Sequence, residues 1–303
     1  MCPEAAADPA SGVVTVAAAE RLRAECAAQI DRYEHGHFHD RPWLRAAFLA
    51  VPREAFVPDR VWWPHRGPED GLFPLLDRRT KPGQWLRAVY RARSPLITQI
   101  ADGAVPAIGP TDCGDFSGSI SCPAVVVDML HHLDPQPGER ILEIGTGTGY
   151  STALLAERVG AAAITSIEID KVLAEHAETA LSAVGCAPRL VVGDGEEGYP
   201  PGAPYDRLIS TVAVRRLPQA WVDQVRPGGV ILSPLDSPFQ CDGLARLTVD
   251  GQGRATGSFI GAVDFMKTRG QRERRSYADL GWPTWGGYRV TVESGEQRVR
   301  TAP

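Results

Sequence analysis

From residue 123 onward the apolar positions alternate between two periods. PAVVVDMLHHL has helical spacing and stops near DPQPG, ILEIG is a continuous apolar run like a buried strand, and YSTALLAERV returns to helical spacing. The alternation continues with ITSIEI as a strand, KVLAEHAETALSAV as a helix, and RLVVGD and DRLIST as strands. LPQAWVDQV then reads as a short helix and PGGVILSPL as a strand following a Pro-Gly-Gly turn. Helices alternating with apolar strands at this spacing predict a parallel sheet covered on both faces. LARLTVD and GSFIGAVDFM, separated by a GQG turn, predict two strands pairing antiparallel at its edge. The expected fold class is therefore α/β, a doubly wound and mostly parallel sheet with an antiparallel edge.

Upstream of that region the pattern differs. VTVAAAERLRAECAAQIDRY, residues 14–33, predicts an N-terminal helix, and RPWLRAAFLAVPREAFVP predicts a second one stopped by Pro52. Residues 61–120, rich in Pro, Gly and Trp with short apolar pieces such as PLITQI, predict ordered loops and short strands. Past residue 270 a basic cluster, RGQRERRSY, is followed by the aromatics of Trp282 to Tyr288, which are expected to close the core. YRVTV and QRVRT, flanking ESGE, then predict a hairpin.

Composition narrows the function classes. The 303 residues suffice for one large domain or two smaller ones, and 43% hydrophobic with 23% charged residues is ordinary for a globular chain. A net charge of -5 gives no global basic footprint for nucleic acid and no polybasic membrane anchor. Cys2, Cys26, Cys113, Cys122, Cys186 and Cys241 are scattered without a C-x-x-C pair and read as reduced thiols. No signal-peptide pattern opens the chain and no apolar run is long enough to span a bilayer, so the cytoplasm is the expected location.

The candidate chemistry sits where the alternation begins. In ILEIGTGTGYST a strand runs through a glycine-rich turn into a helix, which aims backbone N–H groups and the helix N-terminus at a polar ligand. A dinucleotide fingerprint needs glycines at relative positions one, three and six, whereas Gly145, Gly147 and Gly149 occupy one, three and five and Tyr150 follows. That spacing weakens a nicotinamide reading. About twenty residues on, the next strand ends in Glu168, where a carboxylate can accept from a ribose diol. A third strand ends at Asp194 and Gly195, also on the carboxyl edge where open α/β sheets bind ligands.

LEIGTGTGY, SIEID, GDGEEGYPPGAPYDRLISTVAV and PGGVILSPL together resemble class I S-adenosylmethionine-dependent methyltransferases, and most closely the protein-L-isoaspartate O-methyltransferase family. SISCPAVVVDML resembles the segment before that family's first strand, VPREAFVP its N-terminal signature and GAVDFMKTRG its final strand. The likeness covers about residues 42–60 and 117–270. It implies a Rossmann-like sheet in which Gly145, Gly147 and Gly149 line the methionine portion of S-adenosylmethionine, Glu168 binds the ribose, and Asp194 with Gly195 flanks the adenine. Glu143, Thr146, Ile169 and Thr211 are implied as further cofactor contacts. Ser121 matches the active-site hydroxyl, with Ser119 and Val212 beside the substrate and no metal. The implied division is 1–135 for a helical and loop region contributing to the substrate site, 136–270 for the cofactor-binding core and 271–303 for a C-terminal extension.

The implied acceptor is an aspartyl or isoaspartyl carboxylate in a peptide or protein. A carboxylate is already nucleophilic at neutral pH, so methyl transfer needs orientation and exclusion of water rather than a strong base. The missing His or Cys constellation is consistent with that. Methylation makes the carboxylate a leaving group and lets a neighbouring backbone nitrogen close a succinimide. The enlarged segment 61–118 and the tail 271–303 depart from the compact repair enzyme and resemble methyltransferases that tailor ribosomally made peptides, with a cyclised precursor peptide as the implied partner. General repair, a non-catalytic cofactor-binding module and small-molecule methylation stay open.

Three other features are read as structural. His35, His37 and His39 alternate but lack an accompanying ligand set, and exposed loop histidines are expected. Cys122 beside Ser121 has no basic partner in view and reads as packing. The RGQRERRSY run reads as a solvated face, with docking of an acidic leader peptide as the alternative.

Overall fold

A computed structural model describes residues 15–33, 37–238, 241–273, 276–293 and 296–301. The first helix, α1 (Val16–Tyr33), buries Ala19, Cys26, Ala27 and Ile30 at three- and four-residue spacing, a stripe that seats it on the rest of the chain. A short helix that the sequence reading did not anticipate follows, α2 (His37–Asp40), and then α3 (Pro42–Ala50). Pro42 opens α3, where its missing N–H costs nothing, and Leu44, Ala47 and Phe48 face inward.

The inserted segment contains the predicted short strands. Strands β1 (Arg60–Trp62), β2 (Leu75–Asp77), β3 (Leu96–Ile100) and β4 (Phe116–Ile120) form an antiparallel sheet in the order β2-β1-β3-β4. Between β2 and β3 lies α4 (Pro82–Val89), an element the sequence reading missed. Its second residue is a glycine, which disfavours a helix, but burial of Trp85, Leu86, Ala88 and Val89 outweighs that local cost. The Trp85 indole also donates to the Pro58 carbonyl at 3.1 Å.

From α5 (Pro123–Leu133) the predicted alternation is realised. The chain runs β5 (Ile141–Ile144), α6 (Tyr150–Val159), β6 (Ile164–Glu168), α7 (Lys171–Ala183), β7 (Arg189–Val192) and β8 (Tyr205–Ser210). It continues through α8 (Gln219–Gln224), β9 (Val225–Leu235), β10 (Asp242–Val249) and β11 (Ala255–Val263). The sheet order is β11-β10-β9-β8-β5-β6-β7, with β5 to β9 parallel and β10 and β11 antiparallel. The chain therefore enters at β5, builds outward through β6 and β7, and returns to the other side of β5 at β8. That reversal is a topological switch point, where a crevice opens at the carboxyl ends of the strands. One core cluster includes Ala27, Phe48, Phe56, Leu130, Leu154 and Leu232, so the N-terminal helices and one face of the sheet share a single interior.

The predicted hairpin is present as β12 (Tyr288–Glu293) against β13 (Glu296–Thr301), with its Ser294–Gly295 connection outside the described residues. Trp282, before it, does not close the core, and the Trp285 side chain lies outside what is described. Trp282 stacks on Phe259 of the edge strand β11 at 6.1 Å, and Phe259 is itself exposed, so this contact lies outside the sheet. No helix among the described residues is long and apolar enough to cross a membrane.

Candidate active site

The switch point carries a cleft of about 1140 Å³, its open mouth included, which is room for a nucleoside-sized ligand together with an acceptor group. Its floor is the glycine turn. Gly145 has φ +86 and donates to the Ile167 carbonyl at 2.8 Å. A Cβ there would meet Thr211 Oγ1 at 2.7 Å and Val212 Cγ1 at 3.0 Å, so the position needs glycine for conformation and for space. Gly147 and Gly149 also have positive φ; Gly147 lines the cleft, whereas Gly149, the N-cap of α6, does not, and a Cβ there would meet Leu181 of α7 at 3.1 Å.

Glu168 closes one side. It is 7% exposed; one carboxylate oxygen accepts from Gly147 N–H at 2.8 Å and the other from Asp170 N–H at 3.0 Å. Burial pushes its pKa above the ordinary value, the backbone N–H groups of Gly147, Asp170 and Ile169 partly offsetting this. Each oxygen keeps a lone pair for a ligand hydroxyl. Among the described residues, Asp194 accepts with Oδ1 alone, from Glu196 N–H at 2.9 Å. Gly195 packs under Ile144, where a Cβ would come within 2.5 Å of Cγ2.

Ser119, Ser121 and Val212 line the same cleft, as do Thr146, Ile169 and Thr211. The Thr211 hydroxyl turns back to the carbonyls of Ile144 and Gly145, so it supports the glycine turn. Glu143 is a correction: it does not line the cleft. It is fully buried, and the hydroxyls of Ser151, Thr152 and Ser166 all donate to its carboxylate. Those three bonds tie β5 to α6 and β6, which fixes the turn from below. Burial raises the pKa of Glu143, the hydroxyl bonds opposing it.

Ser121 follows β4 and precedes α5, and its hydroxyl makes no hydrogen bond to another described residue, leaving it available to a ligand. Its main chain is held by Arg53, from the VPREAFVP segment, whose role the sequence did not disclose. Arg53 is fully buried, donates to the Ser121 carbonyl at 2.7 Å and to the Val89 carbonyl at 2.9 Å, and lies 4.9 Å from the Tyr150 ring. Burial without a carboxylate partner lowers its pKa. The Arg53 charge also bears on Cys122, which lies half-buried at the start of α5, so the expectation of no basic neighbour is corrected.

The residues after β11 form a strap across the cleft. Thr268 and Gln271 donate to the two oxygens of Glu196 at 2.7 and 2.8 Å. Arg269 reaches Asp170 at 2.7 Å and Asp102 at 3.1 Å, and Arg272 makes a bidentate pair with Asp102 at 2.7 and 2.9 Å. Gln99 of β3 also donates to Asp170, at 3.1 Å. The first two arginines of the basic cluster are thus only partly solvated and are paired; they bind the strap to the inserted segment and to the start of α7. Arg274 and Arg275 lie outside the described residues. Bonding to Arg272 holds the Asp102 carboxyl below its ordinary range despite partial burial. At Asp170 burial pushes upward, but bonds from Arg269, Gln99 and the α7 N–H groups prevail and lower the pKa.

A doubly wound sheet with an antiparallel edge, a glycine turn at its switch point and an acidic residue ending the next strand define a Rossmann-like methyltransferase fold. Residues 111–271 match the profile of the protein-L-isoaspartate(D-aspartate) O-methyltransferase family. The chain belongs to that family. It is 41% identical over 154 residues to the protein-L-isoaspartate O-methyltransferase of Methanoculleus marisnigri, which covers 50% of this chain and 68% of the relative. A solved protein-L-isoaspartate O-methyltransferase superposes on 81% of this chain with a TM-score of 0.61 at 22% identity, and the match spans 65% of that protein. A candidate protein-L-isoaspartate O-methyltransferase from Plasmodium falciparum, solved with S-adenosyl-L-homocysteine, superposes on 83% of this chain and 98% of its own with a TM-score of 0.57 at 14% identity.

Proposed function

We propose that this chain is an S-adenosylmethionine-dependent O-methyltransferase acting on the side-chain carboxylate of an aspartyl or isoaspartyl residue in a peptide or protein. The observation that carries this reading is the convergence, in one cleft, of the glycine turn, Glu168 and Asp194 with the unpartnered Ser121 hydroxyl. The residues fit the cofactor: at Gly147 a Cβ would meet only the Ser119 carbonyl oxygen, at 3.7 Å, so that side of the turn is open to its amino-acid portion, and Glu168 keeps lone pairs for the ribose diol. Asp194 and Gly195 flank the base. When bound, S-adenosylmethionine supplies a methyl group on a sulfonium, an electrophile that needs no activating acid.

Ser121 Oγ–H donates to one oxygen of the acceptor carboxylate and leaves the other facing the methyl carbon, an orienting role. The nucleophile is anionic already, so no proton moves in this step. Ser119 and Val212 wall the acceptor side, and the strap excludes water. In the methyl ester, the next backbone nitrogen attacks the carbonyl carbon, loses its proton, and methoxide departs as methanol to leave the succinimide. On this reading residues 1–135 contribute to the acceptor site, 136–270 hold the cofactor and supply Val212, and 271–303 form a C-terminal extension.

Replacing Ser121 with alanine is expected to lower kcat/KM about 10- to 100-fold, the range of one hydrogen bond to a charged group. Affinity for S-adenosylhomocysteine should stay unchanged. Unaltered turnover of an isoaspartyl peptide would move the acceptor site elsewhere.

The finer reading is tailoring of a ribosomally made, cyclised peptide. It is supported by the inserted sheet β2-β1-β3-β4 and by the strap that ties it to the tail, which together surround the cleft with more chain than access to arbitrary protein termini requires. Mass spectrometry of cyclised and linear peptides after reaction is the test: methyl ester or succinimide on one cyclised partner supports tailoring, and equal turnover of arbitrary isoaspartyl peptides returns the assignment to general repair.

Strap closure has its own signature. Asp102 and Asp170 have depressed pKa values, so their contribution is complete above roughly pH 4, the unfolded carboxylate value, and is lost as pH falls through their lower folded values. Asp102→Asn is expected to raise the dissociation rate of S-adenosylhomocysteine about three- to fivefold at neutral pH, a modest effect because the pair is partly solvated. Stopped-flow at pH 7 should show this; identical rates would mean the strap does not gate the cleft.

A further inference from the structure

The sequence reading places His37 in an exposed loop, and the structure does not. His37 opens α2, its side chain is 13% exposed, and its Nε2 lies 2.8 Å from Asp128 Oδ1 on α5. His132, one helical turn beyond Asp128, brings its Nε2 to 3.3 Å of the same oxygen. His39 is exposed, and His35 lies outside the described residues. The carboxylate that the histidine run lacks in sequence arrives from 91 residues away.

We infer that His37, Asp128 and His132 form a binding site for a divalent first-row cation of the zinc type. The donor set is two imidazole nitrogens and one carboxylate oxygen, all within 4.8 Å of one another. Such a set suits zinc and its neighbours rather than calcium or magnesium, which prefer oxygen alone. A tetrahedral ion with bonds of about 2.0–2.2 Å holds its ligand atoms roughly 3.3–3.5 Å apart. Asp128 and His132 already stand at 3.3 Å, and the His37 contact has to open by about half an ångström from its 2.8 Å.

The surroundings favour ligation over a chance contact. The His131 ring stacks on His37 at 4.0 Å with planes 9° apart and meets His132 edge-on at 5.0 Å, bracing both ligand rings. The nearby Arg41 is paired with Asp134, which offsets its repulsion of a cation. Asp128 and His132 stay 23% and 29% exposed, so the cluster is open to solvent on one side.

The placement gives the ion its task. At about 100° per residue, Asp128 and His132 lie on the side of α5 away from Val126, Met129 and Leu130, which wall the cleft. The ion joins α2 to the back of the helix that begins two residues after Ser121, and so secures the acceptor wall without touching the acceptor.

Zinc chloride titrated into the chelator-stripped full chain tests this directly. One equivalent should bind, shift the Nε2 resonances of His37 and His132, and raise the thermal midpoint by roughly 5 °C at a hundredfold excess over Kd. Asp128→Asn, which keeps its size and can still hydrogen-bond to the rings, should bind at least tenfold more weakly, with S-adenosylhomocysteine binding as the check on folding. Wild-type protein that takes up no zinc, or takes it up without histidine shifts, overturns the proposal. Equal affinity in Asp128→Asn and in the His37→Asn, His132→Asn double variant does so too, by assigning the ion to cysteines.

Discussion

Arg53→Met is expected to abolish measurable methyl transfer and to cost about 2–5 kcal/mol of stability, because two buried carbonyls lose their donor at once. Those carbonyls belong to Val89 and Ser121, bound at 2.9 and 2.7 Å by different nitrogens of one guanidinium. Methionine fills much of the volume but satisfies neither. The peptide that carries Ser121 is then free to rotate, and misplacement of an orienting hydroxyl is costly to rate. Arg53→Lys separates the two losses: one ammonium on a flexible stem cannot reproduce the planar fork, so much of the stability should return while kcat stays low. Denaturant unfolding and steady-state kinetics measure both; full kcat in the lysine variant would show that Ser121 does not depend on Arg53.

Glu168→Ala is the second large effect, and it should fall on the cofactor. The carboxylate accepts from the N–H groups of Gly147 and Asp170 and is proposed to accept from a ribose as well. Alanine removes the ribose acceptor and releases the turn that shapes the methionine end, so S-adenosylhomocysteine affinity should drop about 100-fold or more, the scale of lost charge-assisted hydrogen bonds. Because Glu168 is nine-tenths buried and its pKa is raised, protonation by acid should weaken binding at a pH above that at which an exposed glutamate titrates. Calorimetric titration from pH 4 to 8 reads both results. An unchanged dissociation constant in the alanine variant would remove Glu168 from the cofactor site.

What was legible in the sequence divides by the range of the interactions involved. The parallel sheet could be read because strands such as β5 and β6 are buried along their whole length, so burial writes itself into a continuous apolar run. The glycine turn, Glu168 and Asp194 were legible because strand ends in this topology fall on one edge. Glu143 sits in the same strand, but only its three hydroxyl partners show that it faces inward. Arg53 was hidden because its partners stand 36 and 68 residues further along. Arg272 looked like surface charge because Asp102, which neutralises it, is 170 residues away. A charged residue's role depends on what it meets, and no local pattern records a meeting at that distance.

The shared interior sets where the molecule can be cut. The family profile matches from residue 111, yet Phe56 lies against the Tyr150 ring at 5.8 Å and Leu44 and Phe48 belong to the same interior as Leu154. A fragment trimmed to that boundary would keep the glycine turn, Glu168 and Asp194 and lose the wall on which α5 and α6 rest. The stretch that the profile recognises is smaller than the unit that shares one core.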